Sequence, residues 1–279
     1  MLIKAYAKIN WTLGVKGTRL DGYHDLDMIM QSVDLCDDVE ICEADGFSLV
    51  IDGPRGAGLS AGDDNLMLRA ARLIQSAAGV SSGAALRLTK RIPMQAGMGG
   101  GSSDAAAVLK GLNEMWHVGM NESELCALGL KLGADVPYCI AGGLCRAEGL
   151  GEQLTHVKAA QSVSLIAAMP AVGLSTGEVF RRCKSGMAQD TPRAIEALNA
   201  GAWQWLRTNT RNDLEQLARD MRPEIGACIS AMYDADAKFA RMTGSGSAVY
   251  GVFDDADIDA AFEAIHRAYP DSFVTHTLV

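Results

Sequence analysis

Fourteen residues, PMQAGMGGGSSDAA from Pro93 to Ala106, hold four glycines and two serines between Gly97 and Ser103. Glycine in such density is entropically costly, so a backbone without side chains must be required there. The run follows a strand-like stretch, ALRLTKR, and precedes an apolar, alanine-rich stretch with helical character. A strand, a glycine turn and a helix start form an anion cradle. The first N–H groups of a helix lack partners, and the positive end of its dipole faces the same way. Ser102 and Ser103 add hydroxyls, as donors to phosphate or as a ligand for a metal ion. Two familiar phosphate loops do not fit. No Gly-Lys-Ser/Thr closes the run, and Ser102 stands where a dinucleotide fingerprint has its third glycine. A tight strand-to-helix connector is the plainer alternative, but a connector rarely needs four glycines.

Other residues could work beside such a cradle. Ile3, Ala5, Ala7, Ile9, Trp11, Leu13 and Val15 alternate with Lys4, Tyr6, Lys8, Asn10 and Thr12. Period two predicts a strand with one buried face, and it puts Lys8 and Asn10 together on the other, polar face. By pattern alone that face is solvated. Asp135 follows a helix-ending glycine and precedes Pro137, which on its own marks a turn residue. DGYH sets the Tyr23 ring beside the His24 imidazole on a turn-rich loop. One can stack on a base, and the other can hydrogen-bond its edge.

The elements that must position these groups follow from patterning. Strands are expected at MIMQSVDL, DVEICEA, FSLVID and ALRLTKR. DDNLMLRAARLIQSAAG reads as a helix capped by Asp63 or Asp64 and closed by Gly79. Helices follow at SDAAAVLKGLNEMW and at ESELCALGLKLG, the latter ending at Gly133. ADVPYCIAGGLCRAEG reads as loop and strand, and SVSLIAAMP as a buried strand. STGEVFRRC carries a capping-box pattern from Ser175 to Glu178. AKFARMTGSGSAVYGVFDD reads as strand, glycine loop and strand, before a closing helix and strand. A boundary near residue 155 divides the chain into 1–155 and 156–279.

Composition narrows the classes. The 279 residues are 48% hydrophobic and 21% charged, ordinary for a globular protein, with a formal net charge of −9. No basic cluster suggests a nucleic-acid partner, so an anionic ligand must be held by local donors. Seven cysteines without a CxxC pair suit neither a disulfide framework nor a zinc site. The chain starts without a signal-peptide apolar core, and no stretch is long enough to span a bilayer. A cytoplasmic protein with reduced thiols is expected. His117, His156, His266 and His276 show no ligand spacing, and Trp203 and Trp205 are expected to pack.

The segment from Pro93 to Ala106 resembles the phosphate loop of the GHMP small-molecule kinases. AKIN and DGYH before it, LGADVP after it and MTGSGSAVYGVF near the C-terminus stand in that family's order. Four motifs in order are far more specific than one glycine loop. The resemblance implies a two-domain α+β kinase, with a ribosomal-S5-domain-2-like N-terminal half and a ferredoxin-like C-terminal half. It implies ATP bound by Pro93, Met94, Gln95, Ala96, Gly97, Met98, Gly99, Gly100, Gly101, Ser102 and Ser103, with Asn65 (by residue type alone equally an ordinary helix cap) and, on thinner grounds, Lys90 near the adenine. Mg2+ accompanies the ATP, with Ser103 a possible hydroxyl contact and no protein ligand assigned. Lys8 and Asp135 are implied as the catalytic pair. The member it looks most like phosphorylates the 2-hydroxyl of a cytidine diphosphate sugar-alcohol on the way to isoprenoid precursors. That resemblance implies Asn10, Tyr23, His24, Thr176 and Phe180 as substrate contacts, and a monomer or weak homodimer free of nucleic acid and membrane. Four positions depart from the family pattern: Trp11, Ala96, Met98 and Asp104. Ala96 requires an allowed φ, and Asp104 stands where asparagine is often found. The rivals are a homoserine or mevalonate kinase of the same superfamily and a catalytically silent nucleotide sensor.

Overall fold

The computed structural model describes residues 1–170, 173–183, 186 and 189–279. The chain divides into two compact units that interleave along the sequence. The first comprises 1–8, 35–94 and 99–142, and the second comprises 9–34, 95–98 and 143–279. The glycine segment therefore belongs to the second unit from Gln95 to Met98 and to the first on either side.

The first unit takes the start of β1 (Leu2–Thr18), most of the second half of β2 (His24–Ala44), β3 (Phe47–Asp52), α1 (Leu66–Ala78), β4 (Gly83–Thr89), α2 (Gly100–Met115), α3 (Glu122–Gly129) and α4 (Val136–Ala141). β4 runs antiparallel to β2, with Val39 opposite Leu88, and parallel to β3. Leu86 and Leu88 of β4, Ile41 of β2 and Ile74 of α1 share a core with Val108, Leu109 and Leu112 of α2. Every residue of α2 from Ser103 to Leu109 is buried, including three consecutive alanines. A helix enclosed on all sides is held firmly, so its first turn is a fixed platform.

The second unit holds the first part of β2 against β5 (Leu144–Gly149), which also pairs with β6 (Gln153–Val157). A separate sheet has the order β10–β7–β9–β8, from β7 (Ser164–Ala168), β8 (Phe239–Met242), β9 (Val249–Val252) and β10 (Ser272–His276). The helices of this unit are α5 (Thr176–Arg182), α6 (Thr191–Asn199), α7 (Trp203–Asn209), α8 (Glu215–Met221), α9 (Pro223–Asp234) and α10 (Ile258–Ala268). Trp11 is enclosed by Trp203 at 5.8 Å, Phe239 at 6.0 Å and Tyr250 at 5.5 Å. Its Nε1 donates to Gln31 Oε1 at 2.8 Å, so the bulkier residue at this position is both packed and bonded. Trp205 lies under the Arg193 guanidinium.

Several sequence expectations need correction. The polar face of β1 is solvated only at its start: Lys4 and Tyr6 are exposed, whereas Lys8, Asn10 and Thr12 are 3%, 1% and 1% exposed. MIMQSVDL and DVEICEA form one strand, because the acids between them are held by partners. Asp37 bonds Lys90, and Asp38 bonds Lys4 and Arg91. The cap of α1 is Asn65, whose Oδ1 accepts from Met67 N at 2.9 Å. Asp63 is taken by Arg72 and Asp64 by Ser60. Helix α3 ends at Gly129 rather than Gly133, and ADVPYCIA contains α4. The capping box at Ser175 does not form. Glu178 pairs instead with Arg182, one turn along α5.

Candidate active site

In the first unit, the glycine segment becomes helix earlier than its composition suggests. Gly100 and Gly101 are the first helical residues of α2, and Ser103 N donates to Gly99 O at 2.9 Å. Gly99 is the N-cap, with φ 73°, and supplies no side-chain cap. No acidic residue lies in the first turn. The starting N–H groups thus meet neither a capping oxygen nor a competing carboxylate, the condition in which they receive an external anion. A Cβ at Gly99 would come 3.1 Å from Lys8 Cγ, so the lysine stem lies directly against this turn. Leu66, next to Asn65, is 3.6 Å from the Cβ position of Gly101, which brings the start of α1 to the same turn.

Asp135 occupies the N-cap position of α4, yet its side chain makes no capping bond. Its backbone carbonyl accepts from Cys139 N at 3.1 Å, and among the described residues no partner holds its half-buried carboxylate. The Cys139 thiol reports what surrounds it. Burial pushes its pKa up, the Asp135 carboxylate pushes it further, and the Lys8 ammonium opposes both. Lys8 and Asp135 therefore act on one thiol, whose Sγ is 3.8 Å from the Gly99 Cβ position. The pair named from sequence stands beside the helix start in a single compact unit.

Two expectations in this unit change. Ser103 Oγ donates to Tyr6 O at 2.7 Å and is 3% exposed, so it ties α2 to β1 instead of reaching a metal ion. Lys90 does not face a nucleotide base. It is buried between Asp37 and Asp104, at 2.5 Å from each. Sequence pattern gave no warning of Asp37, whose partner lies 53 positions away. Burial raises the pKa of Asp104 to about 8, with Lys90 opposing and Asp37 adding to the rise.

In the second unit, Gln95–Met98 pack against the C-terminal glycine loop. Ser247 N donates to Gln95 O at 3.3 Å and Ala248 N to Ala96 O at 3.2 Å. Gly97, with φ 73°, could carry no side chain, since a Cβ would overlap the Thr243 carbonyl. Ala96 is buried and has no positive φ; the left-handed residue beside it is Gln95, at φ 51°. A non-glycine residue there carries about 1–2 kcal/mol of steric strain. Gln95→Gly is therefore expected to stabilise the protein by about 0.5–1 kcal/mol, after the extra entropy of an unfolded glycine is subtracted. Urea unfolding measures this, and an unchanged or lower midpoint refutes it. Met98 is buried, whereas Pro93 and Met94, in the first unit, are respectively buried and 46% exposed.

The groups expected to hold the acceptor divide by burial. Tyr23 is 62% exposed, in a turn closed by Arg19 N donating to Tyr23 O at 2.7 Å. His24 and Phe180 face each other with ring centroids 5.5 Å apart and planes tilted by 44°. Thr176 Oγ1 lies 2.8 Å from Ser245 Oγ of the C-terminal glycine loop. Asn10 is fully enclosed. Its N–H donates to Thr243 Oγ1, its carbonyl accepts from Tyr250, and its Nδ2 lies 3.6 Å from Met28 Sδ. Ser245 was not singled out from sequence, though it lies in a quoted motif.

The chain is similar to known proteins along its length. Residues 65–143 match the family described as GHMP kinases N terminal domain, and residues 194–271 match GHMP kinases C terminal. The 4-diphosphocytidyl-2-C-methyl-D-erythritol kinase of Pelotomaculum thermopropionicum is 41% identical, over 94% of this chain and 92% of its own. The enzyme of that name from Clostridium botulinum strain Alaska E43 is 38% identical over 100% of both chains. A solved 4-(cytidine 5'-diphospho)-2C-methyl-D-erythritol kinase superposes with a TM-score of 0.84 at 32% identity, covering 99% of each chain. Homoserine kinase from Cytophaga hutchinsonii, at 17% identity and a TM-score of 0.73 over 99% of this chain and 96% of its own, shares the fold.

Proposed function

The chain belongs to the 4-diphosphocytidyl-2-C-methyl-D-erythritol kinases, a branch of the GHMP kinases, and from that membership we propose that it transfers the γ-phosphoryl group of ATP to the 2-hydroxyl of 4-diphosphocytidyl-2-C-methyl-D-erythritol. It is a small-molecule kinase of α+β build with the N- and C-terminal GHMP domains, acting in non-mevalonate isoprenoid synthesis. The observation that carries the reading is the uncapped, acid-free first turn of α2 with Lys8 laid against its N-cap.

The residues present fit a magnesium-bound nucleotide. Among the described residues no cluster of three or more His, Cys, Asp or Glu side chains could cage a metal. The uncapped N–H groups in the acid-free first turn of α2 suit a nucleotide whose Mg2+ would be held by phosphate oxygens, water and one or two carboxylates and would neutralise charge on the phosphates. Pro93 to Ser102 line the phosphates with backbone, and Asn65 holds the start of α1 beside the same turn. Ser103 supports the turn through Tyr6. Asp135 orients the attacking hydroxyl and takes its proton late, since a loose transition state needs little base strength. Lys8 counters the charge of the transferring group. Its long reach from β1 replaces the lysine that a Walker loop would carry.

Tyr23, His24 and Phe180 hold the cytosine, with Asn10 and Thr176 as polar contacts. Stacking is worth about 1–3 kcal/mol per base, so Phe180→Ala is expected to raise the acceptor KM about 5- to 150-fold and to leave the ATP KM alone. A matching rise in both constants would argue for general unfolding of the site. The two family matches fall one on each side of residue 155, which supports a division of the sequence into 1–155 and 156–279, although the compact units interleave along the chain. Among the described residues, no helix is long and apolar enough to cross a membrane, and all seven cysteines are free. We propose, from the family resemblance, a cytoplasmic enzyme, monomeric or weakly dimeric and without a nucleic-acid partner.

ADP release with Mg-ATP and a panel of alcohols tests the assignment. Turnover is expected with the cytidylyl alcohol and not with homoserine or mevalonate. No turnover with the cytidylyl alcohol sinks it, and saturable ATP binding without transfer to any alcohol points to a sensor.

A further inference from the structure

Three buried ionisable side chains lie under the phosphate turn, and no step of the proposed reaction uses them. Lys90, just beyond β4, places Nζ 2.5 Å from Asp37 Oδ2 and 2.5 Å from Asp104 Oδ2. Asp37 is completely buried on β2, and its Oδ1 also accepts from the N–H groups of Arg91 at 2.5 Å and Ile92 at 2.8 Å. Those two residues lead directly into Pro93. Asp104 lies in α2, immediately beyond the first turn, and is 4% exposed. The Lys90 ammonium also lies 3.0 Å from the Cβ position of Gly100, the first residue of that helix.

Apart from Asp37, which satisfies the N–H groups of Arg91 and Ile92, apolar side chains of similar volume often replace such a buried polar cluster with no loss of stability. Stability therefore gives little reason for joining Lys90 to Asp104. Their arrangement does. Asp37 fixes the backbone before the turn, Asp104 is carried by the helix after it, and Lys90 joins the two. A fully enclosed ionic link has one bonded geometry, whereas apolar packing tolerates sliding. The link is unequal: Asp37 accepts three hydrogen bonds, while Asp104 accepts one and leaves Oδ1 without a partner. Asp104 is the end at which the link can be altered without releasing the backbone before the turn.

We propose that Lys90, held between Asp37 and Asp104, is a positioning residue that sets the spacing between the strand end and α2, and thereby the affinity of the turn for the nucleotide phosphates. The inference rests on the reading of Gly99–Ser102 as the ATP phosphate site. Lys90 touches neither substrate and acts through the backbone on both sides of the turn.

Steady-state kinetics on the full-length enzyme, with ATP and the acceptor varied in turn, test it. Asp104→Asn retains an oxygen for Lys90, so its ATP KM is expected to stay at the wild-type value. Asp104→Leu removes that oxygen. Because losing the geometry of one hydrogen bond to a charged phosphate is enough to change affinity about tenfold, its ATP KM is expected to rise about tenfold or more. The acceptor KM and the turnover at saturating ATP should not move. The double variant Lys90→Met/Asp104→Leu, in which Asp37 keeps its two N–H donors but nothing polar joins it to α2, should show the same ATP defect. It also serves where Asp104→Leu does not fold, as circular dichroism will show. A folded variant without the link and with wild-type ATP KM overturns the proposal, as does an equal rise in both KM values. Wild-type enzyme that fails to bind Mg-ATP overturns the phosphate-site reading and this inference together, whereas wild-type binding with unmoved variants overturns the inference alone.

Discussion

Asp135→Asn is expected to lower turnover by about 100-fold or more, the usual contribution of a positioned acid or base, while ATP affinity stays near its wild-type value. The structural reason is the unusual availability of this carboxylate. An aspartate at a helix N-cap ordinarily spends its oxygens on the first N–H groups of the helix. Asp135 does not, and the short helix α4 begins with Pro137 in its first positions, where one orphan donor is already missing. The carboxylate is thus held at a fixed place by its backbone without being consumed by it. Asparagine keeps the shape and can still accept a hydrogen bond from the hydroxyl. It cannot take the proton, and its neutral oxygen orients the alcohol less strongly. Isothermal titration with ATP and single-turnover transfer, measured on the same variant, separate binding from chemistry. A parallel loss of ATP binding would contradict the role given to Asp135.

How much of this could be read from the sequence depended on the range of the interactions. Local signals worked where a side chain's partner lay within a few residues. Gly79 closes α1 in the left-handed conformation, as its position after the apolar run implied. The same kind of signal failed where a distant residue claimed the side chain. Asp63 and Asp64 looked like caps, yet Arg72 and Ser60 hold them, and the neighbouring Asn65 takes the cap. Period two in β1 correctly announced a strand, but alternation cannot tell solvent from a second layer of protein. Lys8 and Asn10 therefore looked exposed when they are buried. The glycine run could suggest a phosphate cradle because the chemistry proposed for it is in the backbone. The Lys90 link was not, since it joins positions 37, 90 and 104, and no spacing rule connects them.

Lys8→Met is the second large effect. The substitution keeps an unbranched stem of similar reach, so the packing against Gly99 and the interior of β1 should persist. What disappears is a positive charge in a protein-enclosed setting, where 3% exposure leaves little water to screen it. Charge on the transferring phosphoryl group and the leaving oxygen is redistributed as the reaction proceeds, so a cation fixed there stabilises the transition state more than the bound nucleotide. Removing a preorganised group of this kind costs about 10²–10³ in kcat, and that is the expected loss, with ATP affinity changed far less. The alternative assigns Lys8 to holding ATP before reaction. It predicts the reverse pattern, a raised ATP dissociation constant with turnover at saturation preserved. The chain's own geometry favours the first outcome. The backbone N–H groups at the start of α2 already offer the bound phosphates their donors, while Lys8 and Asp135 share the surroundings of one thiol, Cys139. A cation meant for ground-state binding has no need of a carboxylate in its neighbourhood. One meant for transfer does, because on the proposed reading the hydroxyl that Asp135 would orient and the phosphorus that Lys8 would face must come together. The double variant Lys8→Met/Asp135→Asn accordingly should lose less than the product of the two single losses, since residues that act as a unit are not additive. Strict additivity in kcat would mean that the two residues serve separate steps.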